Sequence, residues 1–446
     1  MAPSLPVLLD GSAVFGATFE RLVRRGTGDL EAVAPAVREI LTRVRREGDH
    51  AVRHYVQTFE KRSPASLVLE SFDGAGALAR LAPEVRDGLK LAAQRIESYH
   101  RRQWDAEFKD GGGFRYEEEG VSLGLRVRPI ARLGVYAPGG KARYPSSVLM
   151  SAIPARVAGV KDVVLATPAP DDQVLAAAHL SGVTTLLDAG GAQAIAAMAY
   201  GTSSLRRVDK IVGPGSAYVA CAKRMVFGDV AIDGIAGPSE ILVIADDSAD
   251  PRVVAADLLS QAEHDEDAYA MLVTTSDRVA RAAAVEVLKQ LEGLERRKIA
   301  GASIERNAAF LVVKTEKRLV EVADALAAEH VAFHVQNPEE LLARIGATGA
   351  ALVGAITPVA AGDYLAGPSH VLPTGGCVRF GSPLGVYDFV ARSSVIRYSP
   401  AALRAQGPVI AALARAEGLT AHARAVEVRL EGNISPGGVS NPESDD

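Results

Sequence analysis

From about residue 132 the chain alternates short apolar runs with helical stretches, and this alternation restricts the fold more than any other feature. Segments 133–137, 163–166, 186–187 and 208–212 read as strands. Segments 145–160, 173–180, 192–200 and 217–227 read as the helices between them. Each strand is short, apolar and bounded by Gly, Pro or Asp, and each helix is long enough to cross over it. Such a pattern predicts a parallel sheet covered on both faces, because only strands buried on both sides lose the polar half of the period-two alternation. We assign a nucleotide-binding type of α/β domain to 135–242.

The pattern then resumes. Asp250-Pro251 makes a good helix start, with Asp as N-cap and Pro in the first turn, and that helix is expected to run to about residue 264. Strands follow at 270–274, 310–313, 331–335 and 351–353, with a helix at 315–328. This second α/β domain is expected to be discontinuous, 31–134 with 243–388, taking in the amphipathic segments 29–60 and 83–104. A 1–30 arm precedes it. A small, mainly helical C-terminal domain at 389–435, with helices at 401–416 and 421–430, is followed by a disordered tail at 436–446.

Composition narrows the function classes. The chain has 446 residues, 48% of them apolar, which suits about three domains with sizeable cores. The net charge is −5, with Arg and Lys scattered among acidic residues, so nothing calls for nucleic acid. Two cysteines, Cys221 and Cys377, cannot build a disulfide framework. Neither has an activating His beside it in sequence, and free cysteines are more often buried small hydrophobes than nucleophiles. No basic flank followed by an apolar run marks a signal peptide, and no stretch approaches the roughly 18 apolar residues of a membrane helix. A cytoplasmic protein is the expectation.

Polar residues gather in a few places. Gln261 and His264 are three apart on a predicted helix and share a face with Val254 and Leu258, so they are expected to point inward and require partners. Such a pair is more often a core feature than a metal site. Asp363 and His370 lie in a Gly- and Pro-containing stretch that reads as a loop, which displays them free of any periodic core face. Glu417 and His422 flank the start of the last helix, with Thr420 as its N-cap. Gln, Asp and two His suit zinc, although spacing does not select these four among nine histidines and many acids. Glu329-His330, at a helix-to-strand junction, offers two proton-transfer groups. Taken alone, the motif reads more readily as a solvated helix end. Glycine-rich loops at 135–140, 190–193 and 213–216 each follow a strand and precede a helix, at the sheet edge where ligands bind. None carries the full Gly-x-Gly-x-x-Gly fingerprint.

Taken together, Gly134-Val-Tyr-Ala-Pro-Gly-Gly140, Gly190-Gly-Ala-Gln-Ala-Ile195, Lys210-Ile-Val-Gly-Pro-Gly215 and Ala236-Gly-Pro-Ser-Glu240 resemble segments of the histidinol dehydrogenase family. So do Ser260-Gln-Ala-Glu-His-Asp265, Ala328-Glu-His330, Gly367-Pro-Ser-His-Val-Leu-Pro-Thr374 and Glu417-Gly-Leu-Thr-Ala-His422, in the family's order. The resemblance implies that Gln261, His264, Asp363 and His422 bind zinc and that Glu329 and His330 are the acid–base pair. It also implies that Ser239, His370 and Glu417 line the substrate pocket, together with His330 and the metal ligands. Tyr136, Gln193 and Ser216 would contact NAD, with Ser216 where the family usually has Asn; Ser369 likewise replaces an Asn. The implied reaction takes L-histidinol through bound L-histidinal to L-histidine with two NAD. The implied assembly is a homodimer in which Glu417 and His422 act in trans. Pattern and resemblance together predict two incomplete Rossmann-like doubly wound α/β domains, a small helical C-terminal domain and an N-terminal helical arm. Competing readings are a zinc- and NAD-dependent relative acting on another small amino alcohol or diol, and a zinc hydrolase without redox activity.

Overall fold

The apolar runs form two six-stranded sheets in a computed structural model that describes residues 5–26, 30–139 and 144–431. In space the first sheet runs Val68–Leu69, Thr185–Leu187, Asp162–Ala166, Arg132–Tyr136, Lys210–Val212, Ala231–Ile232. All its pairs are parallel except that of the short edge strand Val68–Leu69. The chain builds outward from Arg132–Tyr136 on one side and returns to the other at Lys210–Val212. The loops after these two strands therefore flank the reversal of strand order, where doubly wound sheets open a crevice.

The second sheet runs Val7–Leu9, Ala309–Val312, Tyr269–Thr274, Glu240–Ala245, His330–His334, Ala350–Val353, and every pair is parallel. Its order reverses between Glu240–Ala245 and His330–His334. Ile241, Val243 and Ala245 face one apolar layer while Leu242 and Ile244 face the other, as the period of two requires. Burial on both faces is the physical origin of the continuous apolar run.

Two expectations about organisation need correction. The helices Leu30–Glu47 and Asp49–Tyr55 do not belong with the second sheet: Val37, Ile40, Val44 and Val52 pack in one core with Tyr136, Val164 and Met198 of the first. Periodicity identifies an inward face but not the sheet it meets. The N-terminal segment is equally more than an arm, since Val7–Leu9 is an edge strand of the second sheet and Phe15 and Leu22 share a core with Leu242 and Phe333.

The chain divides into two compact units, Met1–Asp105 with Pro129–Phe389, and Ala106–Arg128 with Val390–Asp446. The smaller unit is not mainly helical as expected. It carries a three-stranded sheet in the order Val390–Tyr398, Val121–Pro129, Phe114–Glu118, besides the packed helices Pro400–Ala416 and Thr420–Glu431. These strands are largely exposed and rich in Arg, Ser and Glu, so they present no apolar run to read. Gly140 of the first glycine loop and the 436–446 tail lie outside the described residues. Among the described residues no helix is long and apolar enough to cross a membrane.

Candidate active site

The strand Glu240–Ala245 opens with a carboxylate, and its neighbour His330–His334 opens with an imidazole preceded by Glu329. Parallel pairing of Ile241 with His330 puts these three groups side by side at the amino edge of the second sheet. Glu329 is 7% exposed and His330 5%, so the pair is buried and the solvated helix end is ruled out. The helix Glu316–Leu326 ends two residues earlier than expected, and Ala327 takes a left-handed φ of 44° that turns the chain inward toward the strand. A non-glycine residue in that conformation is strained, and such strain persists where surrounding contacts over-determine the backbone.

The main chain of Glu240 serves both buried groups. Its N–H donates to Glu329 Oε2 at 2.8 Å, and its carbonyl lies 3.3 Å from His330 Nδ1. Glu329 Oε2 is 3.6 Å from the same nitrogen. Both neighbours of Nδ1 are acceptors, so Nδ1 carries a proton. Nε2 then points the other way, 3.6 Å from Asp363 Oδ1. Burial pulls the His330 imidazole down, but the carboxylates of Glu329 and Asp363 outweigh it and push it up to about 10.

Asp363 was expected on a loop. It sits instead on the short helix Val359–Tyr364, which packs against Pro251–Ala262. Gly362, Gly367 and Pro368 suggested a loop, yet Gly362 lies within this short helix and the other two follow it. Burial raises the Asp363 carboxyl, but the imidazoles of His330, His370 and His264 around it win and hold it below its usual value. His370 Nδ1 lies 2.9 Å from the Asp363 carbonyl and Nε2 3.4 Å from Ser147 Oγ; burial pushes this imidazole down. Ser369 is buried, donates to the Met150 carbonyl and accepts from the Val371 N–H, which shapes the loop holding His370.

The helix carrying Gln261 stops at Ala262, two residues earlier than expected, and His264 follows in a turn whose N–H donates to the Gln261 carbonyl. Gln261 is 2% exposed, and its Oε1 is buried with no hydrogen-bond partner. A buried amide oxygen without a partner costs about 1–3 kcal/mol, so it signals a missing electrophile. Amide oxygen, imidazole and an ionised carboxylate together suit a divalent metal such as zinc, so the donors present fit the metal that the resemblance implies. Among the described residues no three His, Cys, Asp or Glu side chains form a ready metal cluster, and Gln261 falls outside those types. Ser239 immediately precedes Glu240, half-buried. Glu417 caps the C-terminus of Pro400–Ala416 and His422 lies in the first turn of Thr420–Glu431, both exposed and both in the smaller unit.

At the first sheet, Tyr136 ends its strand, buried, with its hydroxyl accepting from the Gly191 N–H at 3.0 Å. Glu60 Oε1 accepts from the Gly190 N–H at 2.9 Å and from Gln193 Nε2 at 3.4 Å. The Gly190 and Gly191 N–H groups are thus already engaged by the chain's own oxygens, so the loop at 190–193 is not an open phosphate cradle as it stands. By contrast Ser216 is exposed at the start of Ala217–Val226 and its side chain makes no cap, which leaves that N-terminus open to an anion.

Arg25, Glu240, Glu60 and Ser147 were not foreseen. Only Glu240 carried a signal, as the one charge at the head of an otherwise apolar strand.

The family model described as histidinol dehydrogenase matches residues 23–430. The histidinol dehydrogenase of Syntrophotalea carbinolica is 50% identical over 94% of this chain and 97% of its own length. That of Gluconobacter oxydans is 48% identical over 95% and 99%. The crystal structure of histidinol dehydrogenase from Elizabethkingia anophelis superposes with a TM-score of 0.87 at 33% identity, covering 97% of this chain and 99% of that one. With the fold, the motifs and near-complete coverage in agreement, the chain belongs to the histidinol dehydrogenase family.

Proposed function

We propose that this protein is a zinc-dependent, NAD-linked histidinol dehydrogenase that oxidises L-histidinol through bound L-histidinal to L-histidine. The observation that supports it most is the buried Glu329–His330 pair, with Nδ1 of His330 held by acceptors and Nε2 directed to Asp363. Gln261, His264, Asp363 and His422 would hold the metal; zinc would orient the amino alcohol, and NAD would accept two electrons in each of two oxidations. With Asp363 engaged by the metal and no longer holding a proton on Nε2, His330 would take the hydroxyl proton of the substrate there in the first oxidation. Glu329, acting with His330, takes a proton from the water that adds to the aldehyde before the second. Ser239, His370 and Glu417 contact the substrate, and Tyr136, Gln193 and Ser216 contact NAD. Burial of the pair keeps bulk water from the aldehyde, which is reactive and must remain bound.

The stoichiometry of NADH released per L-histidinol consumed, measured on zinc-loaded protein, tests this reading. Two are expected. One would remove the second oxidation, and none would remove the oxidation of L-histidinol and favour a hydrolase or another substrate.

A further inference from the structure

Arg25 lies just beyond the helix Ala13–Val23, at a point in the chain where nothing else bears on the chemistry. Its guanidinium is buried and donates from Nε to Glu240 Oε1 at 2.9 Å and from Nη2 to Glu240 Oε2 at 2.8 Å. The same Nη2 donates to the Leu326 carbonyl at 2.6 Å, and Nη1 to the Leu22 carbonyl at 2.8 Å. Glu240 is fully buried and accepts two further bonds, from the Gly375 N–H at 2.7 Å and from the Glu329 N–H at 3.4 Å. A two-pronged guanidinium–carboxylate pair fixes orientation as well as distance. Here it grips two segments at once: the head of the strand whose main chain holds Glu329 and His330, and the end of the helix that leads into them.

We infer that Arg25 and Glu240 are positioning residues for the acid–base pair: their ion pair fixes the Glu240 main chain, which orients Glu329 through its N–H and sets the proton of His330 on Nδ1 through its carbonyl. Neither side chain needs to touch the substrate. The ion pair is itself expensive to bury, and a hydrophobic pair of similar volume would serve stability as well or better. Its presence at this place is accounted for by the orientation it imposes. The inference rests on the reading of Glu329 and His330 as the reacting pair.

The test compares zinc-loaded Arg25→Met, Arg25→Lys, Glu240→Gln and His330→Asn with the unaltered enzyme. It measures kcat and KM for L-histidinol and NAD, bound zinc, and thermal melting. For Arg25→Met and Glu240→Gln we expect kcat to fall about 10–100-fold, with both KM values and the zinc content near normal. Arg25→Lys keeps the charge but not the fork, and its loss is expected to be smaller. A folded Glu240→Gln with kcat within about twofold of normal overturns the proposal, as does a loss confined to KM or to zinc content. Glu240→Gln keeps size and main chain, so it decides the matter even where Arg25→Met does not fold. If His330→Asn retains normal turnover, the reading of the reacting pair fails. If His330→Asn is inactive while the Arg25 and Glu240 variants are normal, only the positioning role fails.

Discussion

At the scale of single residues, the site is made of groups whose surroundings matter more than their identity. His330 is a base candidate because burial removes water while Glu240 and Glu329 claim one of its nitrogens. His330→Asn is therefore expected to lower kcat by about 10²–10⁴-fold while zinc content stays normal, checked by NADH formation and metal analysis. Gln261 makes the opposite kind of prediction. Its Oε1 is buried without a partner, so Gln261→Leu removes an unsatisfied polar group. The metal-free variant is expected to melt at or above the temperature of the parent, while zinc binds at least about tenfold more weakly. Unchanged zinc affinity in a folded variant would take Gln261 out of the metal site. The sequence named Glu329, His330, Asp363 and Gln261 through the family resemblance, whereas local spacing by itself read the first two as a solvated helix end. Burial by distant segments is not written in local spacing, and here it is supplied by strand pairing across some 90 residues.

At the scale of elements, contacts between helix and strand set the positions of those residues. On the helix Pro251–Ala262, Asp257 and Gln261 are one turn apart; on the strand His330–His334, its first and last residues share a face. Asp257 Oδ2 and His334 Nε2 meet at 2.8 Å in the core and pin the register of helix on strand. Asp257→Ala leaves His334 buried without that partner and is expected to cost about 3 kcal/mol in chemical denaturation. Gly213 plays the same part in the first sheet. Its φ is +113°, and a Cβ there would stand 2.1 Å from the Tyr136 carbonyl oxygen. Gly213→Ala is expected to destabilise by about 2 kcal/mol and to raise the KM for NAD, because Tyr136 must shift. A wild-type melt and KM would count against both. The buried parallel strands were legible because their apolar runs have no polar alternation. The exposed strands Phe114–Glu118 and Val390–Tyr398 were not, since half-polar sequences look alike in strands and loops.

At the scale of the whole molecule, the expected ligand His422 and the expected substrate contact Glu417 sit in the smaller unit, and Gln261, His264, Asp363 and the proposed acid–base pair sit in the larger. If the smaller unit of one subunit completes the site of its partner, two inactive variants can repair each other. Mixing His330→Asn with His422→Ala under conditions that exchange subunits is expected to restore about a quarter of normal turnover, as random pairing leaves half the molecules mixed and each with one intact site. Absence of any recovery, with exchange verified, would place His422 in its own subunit's site.

By itself the sequence determined the two parallel α/β sheets, because continuous apolar runs separated by crossover helices have few other ways to be buried, and it determined the family through motifs spread over most of the chain. Only the tertiary structure decided which helices cover which sheet, since an amphipathic face is indifferent to the apolar surface it meets. It alone brought Arg25 to Glu240, 215 residues away, and so supplied the ion pair from which the positioning role is inferred. A charge at the head of an apolar strand announces that a partner exists. Which residue it is depends on the packing that removes both from water.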